Sequence, residues 1–397
     1  MEYSSLLVIF LSLAALSSAQ SNRNFSINLF NAVSETTNSD ANIALSPFSA
    51  DAALSMTYAG AAGTTRSELA SVLGLERNSN AISERGQIFK SINSNGQNYA
   101  LNSANGIFIE QTYEIVSQFR AIVTDAFEAN VSSVDFIGHP DQATADINAY
   151  VVANTKGKIQ ELFAPGSLTS DSRLVLVNAI YFKADWQVKF NEADTKLQPF
   201  TLSNGQQVQA PLMNVLDSFS YTESAELGGA QVLELSYKDG QTSFVAILPK
   251  KEIGLKGLNG LLTASTIQAA LGSLSHQKVN VTLPKFEISA EYGLVPALQA
   301  TGIKAAFTDS ADFSGISRKR DLKISKVVQK VFVEVNENGT EAAAATGVQI
   351  VLLSLPLNPP PPPVIFRADR PFLYLIRHKA TDSLLFIGRV ADPTLKQ

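Results

Sequence analysis

The chain has 397 residues, a formal net charge of −5, 45% hydrophobic residues and no cysteine. The missing thiols exclude cysteine catalysis and zinc–thiolate sites, and the chain must hold itself by a large apolar core. Several hundred residues allow this, because a chain of that size buries about three quarters of its unfolded surface. The mildly acidic balance and the lack of a long basic run leave nucleic-acid binding without electrostatic support.

At the N-terminus, Leu6 to Leu16 form an apolar run of signal-peptide length, although the segment before it carries Glu2 and no Lys or Arg. Ser17 and Ala19 are small residues at signal-peptidase spacing. The expectation is a signal peptide over residues 1–19 and a secreted, extracellular chain. The run is too short to span a bilayer and no later stretch is long enough, so no membrane association is expected. Residues 20–397 contain no linker, charge block or repeat, and read as a single domain. Four N-x-S/T sequons occur, at Asn24, Asn130, Asn280 and Asn338. Asn24, Asn130 and Asn280 are glycosylation candidates, and Asn280 sits in an alternating run that favours a bare strand. A glycan on Asn338 would stand beside the segment described below, so Asn338 is expected to be unmodified.

Ser46-Pro47 has the form of a helix start, followed by Ala53, Leu54, Met56 and Thr57 at helical spacing, and Gly60 and Gly63 punctuate the end. A second helix carries Leu69, Val72 and Leu73 and stops at Gly74. Leu174 to Phe182 is an almost continuous apolar run, as in a strand buried on both faces. Val331, Val333 and Val335 alternate with Phe332, Glu334 and Asn336 at a period of two, and Leu384 to Val390 reads as another strand. Helices early and strands late predict an α+β fold with a large sheet.

One long segment fits neither pattern. Residues 338 to 363 run from Gly-Thr-Glu through four alanines to the pentaproline Pro359–Pro363. Its first half is small and flexible. Its second half is stiff and extended and gives no backbone donors to a sheet. Loops of this length inside compact domains are usually functional or disordered, and the flanking strands favour function here.

The only histidines are His139, His276 and His378, far apart and without ligand spacing. No G-x-S-x-G, phosphate-binding loop or dinucleotide fingerprint is present, so no enzymatic activity, metal or cofactor is expected.

Taken in order, several motifs carry a family resemblance. They are Asn42-Ile43 with Ser46-Pro47-Phe48-Ser49; Gly60-Ala61-Ala62-Gly63-Thr64-Thr65 with Glu68-Leu69; Asn148 with Thr155-Lys156-Gly157-Lys158-Ile159; and Val177-Asn178-Ala179-Ile180-Tyr181-Phe182-Lys183 with Trp186. Leu283-Pro284-Lys285-Phe286, Ala311-Asp312-Phe313-Ser314-Gly315 and Phe366-Arg367-Ala368-Asp369-Arg370-Pro371-Phe372 complete the set. The chain resembles the serpin family over residues 25 to 395. The resemblance implies an α+β serpin fold of roughly nine helices and three β-sheets with an exposed reactive-centre loop, here 338–365. It implies a suicide substrate whose loop is cleaved and then inserts into the main sheet. The partner is a target serine protease held as a covalent acyl complex, and the inhibitor is expected to be a monomer.

Insertion makes the loop a strand, so alternate side chains must enter the interior. The hinge comprises Glu337, Gly339, Thr340, Glu341, Ala342, Ala343, Ala344, Ala345 and Thr346. One face carries Thr340, Ala342, Ala344 and Thr346, all small and uncharged, while Glu341 stays on the other. Family spacing places the reactive bond at Leu353–Ser354, with Leu352 and Leu355 as alternatives because the Pro-rich insert lengthens the loop. Leucine suits a chymotrypsin- or elastase-like pocket, and no Lys or Arg occurs between Thr340 and Phe366 to suit a trypsin-like one. The resemblance also implies a sheet-opening cluster of Ser46, Ser49 and Asn178, completed by Gln329 where the family usually has histidine. Arg77, Arg85 and Lys90 are the only basic residues from Glu76 to Gln97, too few for a heparin-like polyanion. The alternative reading is a non-inhibitory serpin serving as carrier, chaperone or storage protein.

Overall fold

The computed structural model describes residues 22–75, 80–93, 99–340 and 361–395. Within them lie nine α-helices and two hydrogen-bonded sheets. The third sheet implied by the resemblance does not separate from the second. The reason is the long Gln207–Ser224 strand, whose first part pairs with Lys196–Thr201 and Ser275–Pro284 and whose last part pairs with Ala230–Ser236. Through it, nine strands form one hydrogen-bonded unit, ending at Ile43–Leu45 on one side and Val364–Arg367 on the other.

The six-stranded sheet positions the functional segment. Its order is Phe286–Gly293, Ile324–Val335, Leu174–Asp185, Tyr99–Glu110 and Asn130–Val134, with the two-residue strand Gly339–Thr340 beside Leu174–Asp185. The Leu174–Asp185 strand explains its own apolar run. Leu174, Leu176, Ile180 and Phe182 face the main core, whereas Val175, Val177 and Ala179 face a second, smaller core. The Pro140–Asn154 helix covers that second core with Ala143, Ile147 and Val151, spaced by four to make one apolar stripe.

The helix over Pro47–Ala59 lies beneath the same sheet. Ser46 caps it by accepting from the Ser49 N–H, and Pro47 occupies the first turn, where no donor is lost. Pro47 to Tyr58 are all buried, so its polar side chains need partners. Asp51 meets Arg85 at 2.8 Å and accepts from Ser55 at 2.9 Å, and Thr57 bonds back to the Ala53 carbonyl. Among the described residues, no helix is long and apolar enough to cross a membrane, and no group of three or more His, Asp or Glu converges as a metal site would require.

Candidate functional site

The Ile324–Val335 and Leu174–Asp185 strands run parallel and pair directly, from Ile324 opposite Leu174 to Phe332 opposite Tyr181. Beyond this seam the chain doubles back. Asn336 N–H donates to the Gly339 carbonyl at 2.9 Å and Gly339 N–H to the Asn336 carbonyl at 3.3 Å, so Glu337 and Asn338 form the tip of a tight turn. Gly339 and Thr340 then pair antiparallel with Asp185 and Ala184. Glycine is required there: a Cβ on residue 339 would lie 2.0 Å from the Ala184 carbonyl oxygen.

Three contacts hold this hinge. Thr340 is fully buried, and its hydroxyl lies 2.7 Å from that of Tyr237. Burial pushes the Tyr237 phenol well above its ordinary range, which keeps it neutral. Trp186 stacks on Tyr237 with centroids 4.6 Å apart, and donates from Nε1 to the Asn336 carbonyl and from its backbone N–H to the Asn338 carbonyl. Glu337 is buried at the tip. It pairs with Lys285 at 2.8 Å and accepts from the Thr195 hydroxyl at 2.8 Å. Burial alone would raise its carboxyl, but the Lys285 and Thr195 hydrogen bonds outweigh that and hold it below the usual glutamate value.

Glu337, Gly339 and Thr340 are thus placed. The other hinge residues, Glu341, Ala342, Ala343, Ala344, Ala345 and Thr346, lie outside the described residues, as do the bond Leu353–Ser354 and the segment 1–19. The chain re-enters the described residues at Pro361–Pro363, all exposed, and joins the large sheet through Val364–Arg367, parallel to Ser275–Pro284.

Ser46, Ser49, Asn178 and Gln329 meet directly beneath the seam. Asn178 and Gln329 stand opposite each other across it. Gln329 donates from Nε2 to Asn178 Oδ1 at 2.7 Å and to the Ser46 carbonyl at 2.8 Å, while its Oε1 accepts from the Ser46 N–H at 2.9 Å. Asn178 Nδ2 donates to Ser49 Oγ and to Asn105 Oδ1. Asn105, on the Tyr99–Glu110 strand, is a member that sequence reasoning missed. Its signal was available: it is an amide in line with Leu101, Ile107 and Ile109 on a core-facing row. A buried amide in such a row needs partners. Tyr150, on the covering helix, donates to the Asn105 carbonyl at 2.8 Å, and burial pushes its phenol up to about 12.

This network is nearly closed, so removing one member orphans others. Gln329→Leu, close to isosteric, strands the Ser46 N–H and Asn178 Oδ1 in the core. The expected loss is about 2–6 kcal/mol, at ~1–3 kcal/mol for each of the two unsatisfied groups, read as a lower denaturation midpoint of the intact protein. A midpoint equal to that of the parent would mean that the network carries no stability.

The sequons differ in setting. Asn24 is exposed on the first helix, residues 22–36. Asn130 is half-buried, and its Nδ2 donates to Ser132 at 2.7 Å. Asn280 is half-buried between Leu216 and Ile365 on neighbouring strands, both exposed, and accepts from Asn214 at 2.9 Å. Asn338 is half-buried in the hinge turn, within 3.3 Å of Lys189 Nζ.

Comparison with known proteins gives one consistent relationship. The family model described as Serpin (serine protease inhibitor) matches residues 20–393. The leukocyte elastase inhibitor of Sus scrofa is 38% identical, the alignment covering 94% of this chain and 98% of that protein. Among solved structures, Serpin48 of the insect Tenebrio molitor superposes with a TM-score of 0.85 at 32% identity, covering 95% of this chain and 98% of the other. Human thyroxine-binding globulin complexed with thyroxine superposes with a TM-score of 0.86 at 30% identity, covering 95% and 99%.

Proposed function

The chain belongs to the serpin family, and we propose that it is a secreted inhibitor of chymotrypsin- or elastase-like serine proteases that works as a suicide substrate. One observation carries the reading: Gly339 and Thr340 are already seated, antiparallel, at the head of the seam between two parallel strands. Extended in that register, each further residue steps back by one along Leu174–Asp185 and forward into the seam. Residues 342 and 344 then fall opposite Phe182 and Ile180, and residue 346 between Asn178 and Gln329. These are the core-facing rows, and the residues that would enter them are Ala342, Ala344 and Thr346. Their entry desolvates no charge and needs no large space.

The driving force follows. Insertion exchanges one parallel pairing for two antiparallel ones. A dozen added backbone hydrogen bonds at ~0.5–1.5 kcal/mol each amount to about 10 kcal/mol, comparable with the stability of a whole domain. An uninserted form with that much to gain persists only behind a barrier. After the protease cleaves the loop and is held as an acyl-enzyme, crossing that barrier carries it away from its starting position. The inhibitor contributes no catalytic group of its own.

The apolar run before residue 17 and the exposed sequon at Asn24 support export. The naming of a relative as an elastase inhibitor supports the choice of protease class, as does Leu353. Incubation with chymotrypsin, elastase and trypsin, followed by denaturing gels and mass spectrometry, tests the reading. The expected result is a denaturation-resistant complex with one or both of the first two enzymes and release of a peptide beginning at Ser354. Loop cleavage without complex would favour the carrier reading, for which the likeness to thyroxine-binding globulin is the supporting observation.

A further inference from the structure

Tyr181 and Phe332 are register partners across the seam, on its outer face, with ring centroids 5.9 Å apart. The Lys158 ammonium stands over both, 5.6 Å from the Tyr181 centroid and 5.9 Å from that of Phe332. Three centres at nearly equal spacing make one cation shared by two rings on the two strands that must part.

The lysine is held there by local structure. The covering helix ends at Thr155, and Lys156 and Gly157 take positive φ values of 52° and 75° to reverse the chain. Lys158 N–H donates to the Thr155 carbonyl at 3.1 Å, and the next residue, Ile159, is buried in the smaller core. A few residues on, the Glu161 carbonyl accepts from Lys330 Nζ at 2.6 Å, so the same segment grips the Ile324–Val335 strand at a second point.

We propose that Lys158 is a positioning residue that keeps the seam closed, and that its release from one ring is part of the barrier to loop insertion. The proposal rests on the inhibitory reading above. Neighbouring strands lie ~4.8 Å apart, so one added strand moves Tyr181 and Phe332 apart by about that distance. In the hinge register, residue 343 then occupies the space between them. At its present height the ammonium reaches one ring at a time, because the attraction is confined to about 6 Å from a centroid. The shared contact therefore exists only in the uninserted form. Removing Lys158 costs the uninserted form two ring contacts and the inserted form one, so the uninserted form loses more.

Lys158 is exposed, so the effect is modest: about two- to fivefold in rate. The test compares the parent with Lys158→Met, which keeps the stem and loses the charge, and Lys158→Arg, which keeps a cation suited to aromatic faces. Lys278→Met, on the other sheet, is the control. Two quantities are measured: the rate at which a synthetic peptide copying residues 340–352 enters the sheet, followed by native gel, and the melting temperature before and after loop cleavage. Lys158→Met is expected to take up peptide about two- to fivefold faster and to melt earlier when intact. It should lose less stability relative to the parent once cleaved than when intact, and Lys158→Arg should restore the parental rate. Uptake at the parental rate, or an equal loss of stability in the cleaved form, overturns the proposal. If the parent neither takes up peptide nor gains thermal stability on cleavage, the inhibitory reading fails as well, and that outcome is read from the parent alone.

Discussion

Thr340→Arg is expected to turn the inhibitor into a substrate: the target protease will still cut the loop, but the covalent complex will fall from the main product to a trace. Thr340 is fully buried in the uninserted form, between the Leu174–Asp185 strand and Tyr237. It is the first residue of the inward-facing row, so everything behind it waits for its entry. A guanidinium there would meet the neutral Tyr237 phenol, and burying an unpaired charge costs several kcal/mol. Before cleavage the variant escapes that cost by unpairing only Gly339 and Thr340, which leaves the rest of the fold intact. After cleavage it cannot escape, because further insertion carries the charge inward. Delay lets the acyl-enzyme hydrolyse, and the protease leaves active. The measurement is the number of inhibitor molecules consumed per protease inactivated, expected to rise at least tenfold, on the basis that ~1.4 kcal/mol of added barrier already slows a step tenfold. Thr340→Val controls for folding. It keeps the shape, loses one hydrogen bond to Tyr237, and should remain an inhibitor. If Thr340→Arg forms complex as well as the parent does, the hinge does not insert in this register.

Glu337→Lys is expected to release the hinge from the other side. Glu337 is nearly buried, with 6% of its side chain exposed, against Lys285 at 38%. Reversal of its charge leaves two ammonium groups facing each other where one pair was closed, and strands the Thr195 hydroxyl. Breaking a buried pair costs about 3–5 kcal/mol, and the exposure of Lys285 puts this case at the lower end. The loss falls on the uninserted form, so the variant should melt earlier and self-associate on warming as opened seams accept foreign strands. Lys285→Glu in the same chain should restore much of the loss, and a double variant no better than the single would argue against the pair.

The same clasp sets an acid limit. A carboxyl whose folded pKa lies below its unfolded value of ~4.3 contributes stability that is complete above the unfolded pKa and is lost as pH falls through the folded one. Glu337→Gln mimics the protonated state. The parent should therefore be the more stable at pH 7, and the gap should close below about pH 4. A gap that is constant across this range would show that Glu337 does not titrate against the hinge.

Much of the fold was legible from neighbours along the chain. Ser46-Pro47 read as a helix start because a cap needs only the next three residues, and Gly74 read as a stop because φ of 70° is cheap for glycine alone. The Leu174–Phe182 run read as a strand buried on both faces, and two cores do cover it. The count of sheets was less legible. Whether strands belong to one sheet or two depends on how far the Gln207–Ser224 strand stays paired at each end, a property of its partners and not of its composition.

The sequence by itself determined the family, the glycine at 339 and the small, uncharged alternate residues of the hinge, since these follow from residue type and a period of two. Only the tertiary structure decided which groups meet. Asn105 joins Asn178, Thr340 meets Tyr237, Glu337 finds Lys285, and Lys158 covers Tyr181 and Phe332. Each contact depends on pairing register between segments distant in the chain. A slip of one residue would turn the strand side chains among them, such as Asn105, Asn178, Tyr181 and Phe332, to the opposite face.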